Sequence, residues 1–255
     1  MSLTQHLLYL GCVLLAGYVQ NLTGFAFGLV LLGLVGLTHV AALPDVTNVV
    51  SVLTLVNAIG LFRASRPQFE RAVMPPLLSA SLVGVLLGVL LLNWLSDNVV
   101  TALKLLLGLT ILGAVAVLLW HARPHAARSS AARFGAFGLA SGLLGGLFST
   151  AGPPLVYLLY RQPMPQRAIR DTLVTVFAVN AVLRLALMAG NGRLGSSALW
   201  LSLEAVPLVL LQTHRMTRHP PPWDLRTIRA IVCVLLVLVA LGLIVPALQT
   251  LAGGY

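Results

Sequence analysis

Charge is what this sequence has least of. Asp, Glu, Lys and Arg together make up 9% of its 255 residues, against about 25% in a soluble globular domain. A chain with 58% hydrophobic residues and a mean hydropathy of +0.96 cannot cover a water-facing exterior, which excludes the soluble classes. It reads as an all-helical, polytopic membrane protein that borders on the lipid bilayer. Acids are scarcer still, six in all, leaving a formal charge of +10. That balance would suggest nucleic acid in a soluble protein, but there is no interleaving of basic and aromatic residues and no nucleic-acid motif. Basic loops facing a cytoplasm account for it, and no nucleic-acid partner is expected. Cysteine is nearly absent: Cys12 and Cys233 lie inside apolar runs and read as two buried thiols rather than a disulfide. No Lys or Arg precedes the first apolar stretch, and that stretch overshoots a signal-peptide core, so no cleavable signal is read.

Catalytic and metal motifs are missing too. His39, His121, His125, His214 and His219 lie in or near loops without metal-ligand spacing, so no metal or other cofactor is expected. No Walker-type phosphate loop is present, which excludes an ATP-driven pump as a single chain. Ser149 lacks a Gly-x-Ser-x-Gly setting and an intramembrane histidine partner, which argues against an enzyme.

What the sequence does have is apolar runs, roughly over 7–37, 46–62, 73–94, 99–120, 134–160, 169–189, 198–211 and 228–248. A simple spanning helix needs ~20 residues, so the first and fifth are overlong and the seventh is short. The fifth is interrupted by Gly142-Leu143-Leu144-Gly145-Gly146 leading to Ser149-Thr150-Ala151-Gly152-Pro153-Pro154. One continuous straight helix is improbable there. The first carries a weaker interruption, Gln20-Asn21-Leu22-Thr23-Gly24-Phe25-Ala26-Phe27-Gly28. In lipid, non-helical backbone survives only where protein buries it or it lines a wet cavity, so both breaks are candidate binding sites.

Thirteen of the sixteen basic residues fall in four clusters: Arg63, Arg66 and Arg71; Arg123, Arg128 and Arg133; Arg161, Arg167 and Arg170; Arg215, Arg218, Arg226 and Arg229. If every apolar run crossed once, the last two clusters would lie opposite the first two and leave no positive-inside bias. If the first and fifth runs instead enter and return, all four share one face, and the other holds only Arg193. The N- and C-termini then lie on the non-cytoplasmic side of a cell inner membrane. Each half becomes one hairpin plus three crossings, predicting inverted repeats over 1–121 and 122–255, with Leu55-Val56-Asn57-Ala58 matching Ala178-Val179-Asn180-Ala181. Inverted repeats with broken helices in corresponding positions are a signature of secondary transporters.

The run Ala140-Ser141-Gly142-Leu143-Leu144-Gly145-Gly146 with Ala151-Gly152-Pro153-Pro154, Asn180 and Arg184 downstream and Gly17 to Gly28 upstream resembles the TauE/SafE family over nearly the whole chain. These are sulfite and organosulfonate exporters or permeases. The resemblance implies movement of small sulfur-containing or carboxylate-containing anions without nucleotide hydrolysis. The chain departs from the family pattern at the bulkier Gly24-Phe25-Ala26-Phe27-Gly28 and at Gln212-Thr213-His214.

An anion site also follows from the residues. Half-helices starting at mid-depth turn unpaired N–H groups and a positive dipole end toward a ligand. Thr23, Gly24, Ser149, Thr150 and Gly152, with Pro153 in the same turn, are the first candidates; the alternative is that the glycines serve close helix packing. Asn180 and Arg184 share one face of the sixth run. A guanidinium there is shaped to hold a sulfonate, sulfite or carboxylate, unless it snorkels toward the Gly190-Asn191-Gly192 turn. Asn57 is a secondary candidate that is expected to bond between helices first. Glu204, the one acid well inside an apolar run, is the other: it would take up a proton and couple transport to a gradient, or lie near the surface, or pair with Arg184. Proton coupling, a homodimer and a channel-like pore remain open at this point.

Overall fold

The computed structural model describes residues 2–23, 25–64, 67–94, 100–119, 127–218 and 225–252. All regular structure among them is helical: α1 (Leu3–Thr23), α2 (Phe27–Thr38), α3 (Leu43–Ala64), α4 (Met74–Trp94), α5 (Val100–Leu119), α6 (Ala131–Phe148), α7 (Gly152–Tyr160), α8 (Gln166–Gly190), α9 (Ser196–Arg218) and α10 (Leu225–Ala252). Six of these, α3, α4, α6, α8, α9 and α10, are long and apolar enough to cross a membrane, and the chain is a multi-pass membrane protein. The short seventh run is a full-length helix after all. Gln212, Thr213 and His214 end its hydrophobicity but not its hydrogen bonding, and α9 continues to Arg218.

Both overlong runs break where the glycines and prolines stand. α6 begins on Ser130, whose Oγ accepts from the Arg133 N–H at 3.4 Å, and ends where Ser149 turns left-handed at φ 57° and donates to Gly145 O at 2.8 Å. Pro153 and Pro154 follow immediately. They cannot continue α6 but suit the first turn of α7, where a missing N–H costs no helical bond. α2 has 12 residues and α7 has nine, or about 18 and 14 Å, roughly half of a ~30 Å hydrocarbon core. Both half-helices are largely buried by protein, as non-spanning backbone at that depth must be.

The α6–α7 pair enters and returns. The Ser129 N–H donates to Gln162 Oε1 at 2.9 Å and Gln162 Nε2 donates to Ser129 Oγ at 3.0 Å. The start of α6 and the end of α7 therefore lie side by side, with the Phe137 and Tyr157 rings stacked between them. The loop after α3 joins the same end: Arg128 bonds Glu70, and the Gln68 N–H donates to Asp171 Oδ2 at 2.9 Å. Opposite, Asn48 Nδ2 donates to Arg193 O at 3.1 Å and Ser197 Oγ to Asp45 Oδ2 at 2.7 Å. α3 and α8 thus run antiparallel, with the described arginines of the first three clusters toward one end and Arg193 at the other.

α4 and α6 pack backbone to backbone. A Cβ added at Gly138, Gly142 or Gly146 would meet the carbonyls of Leu77, Ser81 or Val85, and one at Gly84 or Gly88 those of Leu139 or Leu143. For Gly142 and Gly146 the packing role is therefore the observed one. Gly145, on another face, looks toward Ala151 in the break. Several contacts come in matched pairs: α1 lies on α9 and α6 on α4, α3 on α9 and α8 on α4, α2 on α10 and α7 on α5.

Candidate functional site

The two breaks meet. A Cβ at Gly28 would come within 2.6 Å of Thr150 Cγ2, and one at Gly152 within 3.2 Å of the Phe25 ring. Between them is a cavity lined by Gln20, Phe25 and Gly28 from the first break, Ser149, Thr150 and Gly152 from the second, Thr54 of α3, and Phe177 and Asn180 of α8. Thr54 stands at the middle of α3 and Asn180 near the middle of α8, which puts the cavity at mid-depth.

Among the described residues, two of its polar atoms lack partners. Asn180 is buried; its Oδ1 accepts from Ser81 Oγ at 3.0 Å, while its Nδ2 has no partner among the described residues. Thr150 is buried at the same cavity, and its Oγ1 has none either. The Ser81 hydroxyl is shared between the amide oxygen and Leu78 O at 3.0 Å each, and the amide nitrogen sits on the cavity side, next to Gly145 of the lining. A buried polar atom without a partner costs about 1–3 kcal/mol, so two of them at one cavity point to a ligand that supplies acceptors.

Arg184 does not snorkel. It is 1% exposed, and its guanidinium is spread over neutral acceptors. Nε donates to Gly146 O at 3.0 Å, one terminal nitrogen to Asn48 Oδ1 at 2.9 Å, Ser51 Oγ at 3.2 Å and Thr47 O at 3.4 Å, and the other to Thr47 Oγ1 at 3.0 Å. Among the described residues no carboxylate pairs with it; the ion pairs join His6 to Glu204, Arg128 to Glu70 and Arg167 to Asp171. The guanidinium is thus engaged by protein rather than open as a two-pronged clamp. Its link to the cavity is Ser51, whose Oγ lies 2.5 Å from Ser149 Oγ. Among the described residues this buried positive charge has no carboxylate counter-ion, and it lies one hydroxyl pair behind the second break.

The backbone contributes less than expected from two helix starts. Prolines at 153 and 154 carry no N–H, and the Phe27 N–H opening α2 is taken by Gln20 Oε1 at 3.0 Å. Side-chain donors carry most of the site. Gly24 lies outside the described residues, Thr23 closes α1 at the first break, and Pro153 is buried in the first turn of α7. Asn57 does bond between helices, its Oδ1 accepting from Thr213 Oγ1 at 3.0 Å. Glu204 is not at the cavity and does not meet Arg184: its Oε2 is 2.8 Å from His6 Nδ1, and its side chain is partly exposed. Thr175 bonds its own helix at Asp171 O. Gln20, Ser51, Thr54 and Ser81 were not singled out from the sequence. Gln20 had a signal, a polar residue in an apolar run just ahead of a break; the others gain meaning only from what packs against them.

The family model described as "Sulfite exporter TauE/SafE" matches residues 9–243. Over 245 residues the chain is 35% identical to the "Probable sulfite/organosulfonate exporter TauE" of Cupriavidus necator, with 95% of each chain covered. No solved structure matches.

Proposed function

The chain belongs to the sulfite exporter TauE/SafE family, and from that membership we propose that it is a secondary transporter of sulfite or small organosulfonates, binding them at the mid-depth cavity between the two helix breaks. It is a transporter and not an enzyme. The observation that carries the site is the coincidence of a buried guanidinium, Arg184, with no carboxylate partner among the described residues, and two side-chain groups that are likewise without partners among them, Asn180 Nδ2 and Thr150 Oγ1. A buried charge without a partner is costly, and an oxyanion entering this cavity would relieve both deficits at once.

The matched packing of α1 to α5 and α6 to α10 supports two inverted repeats, with the substrate between them. The arginine-rich end faces the cytoplasm and the termini lie outside the inner membrane. Flux into proteoliposomes tests the reading with sulfite, ethanesulfonate, sulfate and a small carboxylate, each with and without a proton gradient. Saturable movement of one of the first two is expected, with Asn180→Ala and Thr150→Val each weakening affinity about tenfold, near 1.4 kcal/mol. Wild-type affinity in both variants would remove the site.

Glu204 is expected to have no part in binding. Glu204→Gln should leave the dissociation constant for ethanesulfonate within about twofold of wild type in a calorimetric titration; a tenfold change would tie the His6 end of α9 to the cavity.

A further inference from the structure

The cavity at Asn180 has a counterpart, and we propose that Asn57 is a second anion station on the same route, lying between the mid-depth site and the arginine-rich end. This inference rests on the transport reading above. Asn57 on α3 has its Oδ1 held by the Thr213 hydroxyl of α9 at 3.0 Å, just as Asn180 on α8 has its Oδ1 held by the Ser81 hydroxyl of α4 at 3.0 Å. The helix pairs correspond, since α3 packs on α9 as α8 packs on α4. In each pair a hydroxyl donor claims the amide oxygen, so the amide N–H groups turn to the other side. Each asparagine also lines a cavity, Asn180 the first and Asn57 a second, where Asn21 and Thr213 add polar surface.

The two cavities share Gln20, Phe27 and Thr54. They are adjacent spaces with a common wall rather than unrelated voids, and Phe27, whose backbone N–H is held by Gln20 Oε1, is the apolar part of that wall. The second cavity lies toward the arginine-rich end, with Asn57 in the last third of α3 ahead of Arg63 and Thr213 just ahead of Arg215. In the other direction the first cavity is backed by the Arg184 network through Thr47, Asn48 and Ser51, and beyond it by the Asn48 bond to Arg193 O. The second cavity thus extends the first toward the arginine-rich end. An oxyanion leaving the mid-depth site cannot shed its hydrogen bonds in hydrocarbon. A route needs successive sites, each weak enough to leave, and an amide donor at Asn57 supplies the next one.

The test uses the full chain carrying Cys12→Ser and Cys233→Ser, with Val209→Cys added in the lining of the second cavity so that the Asn57 amide is kept, in inside-out and right-side-out membrane vesicles. A membrane-impermeant maleimide should label position 209 from the arginine-rich face only, and ethanesulfonate should slow that labelling at least fivefold. In parallel, Asn57→Ala should lower ethanesulfonate flux about tenfold while leaving its equilibrium affinity within twofold, whereas Asn180→Ala loses affinity. Labelling from the other face, labelling that ethanesulfonate leaves unchanged, or wild-type flux in Asn57→Ala would each overturn the station at Asn57 while the Asn180 site stands. Absence of ethanesulfonate and sulfite binding to the unsubstituted chain would overturn both readings.

Discussion

Arg184→Gln is expected to weaken sulfite or ethanesulfonate binding by about thirtyfold, while Arg184→Lys holds affinity within about fivefold and loses thermal stability instead. The two outcomes separate the charge from the fork that carries it. A unit charge about 8 Å from an anion, at an effective dielectric of about 20, is worth roughly 2 kcal/mol, which is about thirtyfold in a dissociation constant. Glutamine removes that term and keeps some hydrogen bonding; lysine keeps the term but cannot span Gly146 O, Thr47, Asn48 and Ser51 at once. Each buried acceptor left alone costs about 1–3 kcal/mol, so the lysine variant should unfold at lower temperature without losing its ligand. Titration with ethanesulfonate and thermal unfolding in the same detergent decide it. Unchanged affinity in Arg184→Gln would show that the cavity does not use the charge.

The largest effect on folding is expected at Gly142. A single methyl group there points into the backbone carbonyl of Ser81, and backbone cannot rotate aside as a side chain can, so α4 and α6 would have to separate along the seam that Gly138, Gly146, Gly84 and Gly88 also build. Overpacking usually costs 1–3 kcal/mol and occasionally more; with no rotamer to relieve it, Gly142→Ala should lie at or above ~3 kcal/mol and yield little folded protein. Gly11→Ala and Gly113→Ala are the matched controls. Nothing lies within 4 Å of a Cβ at either position, and alanine favours a helix by about 1 kcal/mol over glycine, so both should be neutral or slightly stabilising. Size-exclusion chromatography and thermal unfolding of the three variants give the comparison, and a Gly142→Ala protein as stable as wild type would mean that the seam is looser than described.

The large features of the fold were readable because they depend on local chemistry. Hydrophobicity makes spanning helices wherever they fall in space, a Gly-Pro-Pro cannot continue a helix in any environment, and the arginine clusters predict a returning hairpin such as the one the Ser129–Gln162 bonds close. The seventh run reads as short in the sequence for the same reason in reverse, since hydropathy falls at Gln212 while helical hydrogen bonding continues to Arg218. Glu204 could not be placed from sequence because its partner, His6, lies 198 positions away.

The sequence by itself determined the membrane class, the two breaks and the candidate stretch around them, because each follows from residue type and order. Only the tertiary structure decided which atoms of that stretch are left for a ligand. Gly142 and Gly145 are three residues apart and chemically identical, yet one is pressed against α4 and the other faces the break. Asn57 and Asn180 sit in tetrapeptides identical at three of four positions, yet what each amide can offer depends on a hydroxyl from another helix. Whether Arg184 reaches an interface or stays buried was set by Thr47, Asn48 and Ser51 arriving from α3. Whether a buried polar atom is satisfied depends on what packs against it, and a single chain position does not carry that information.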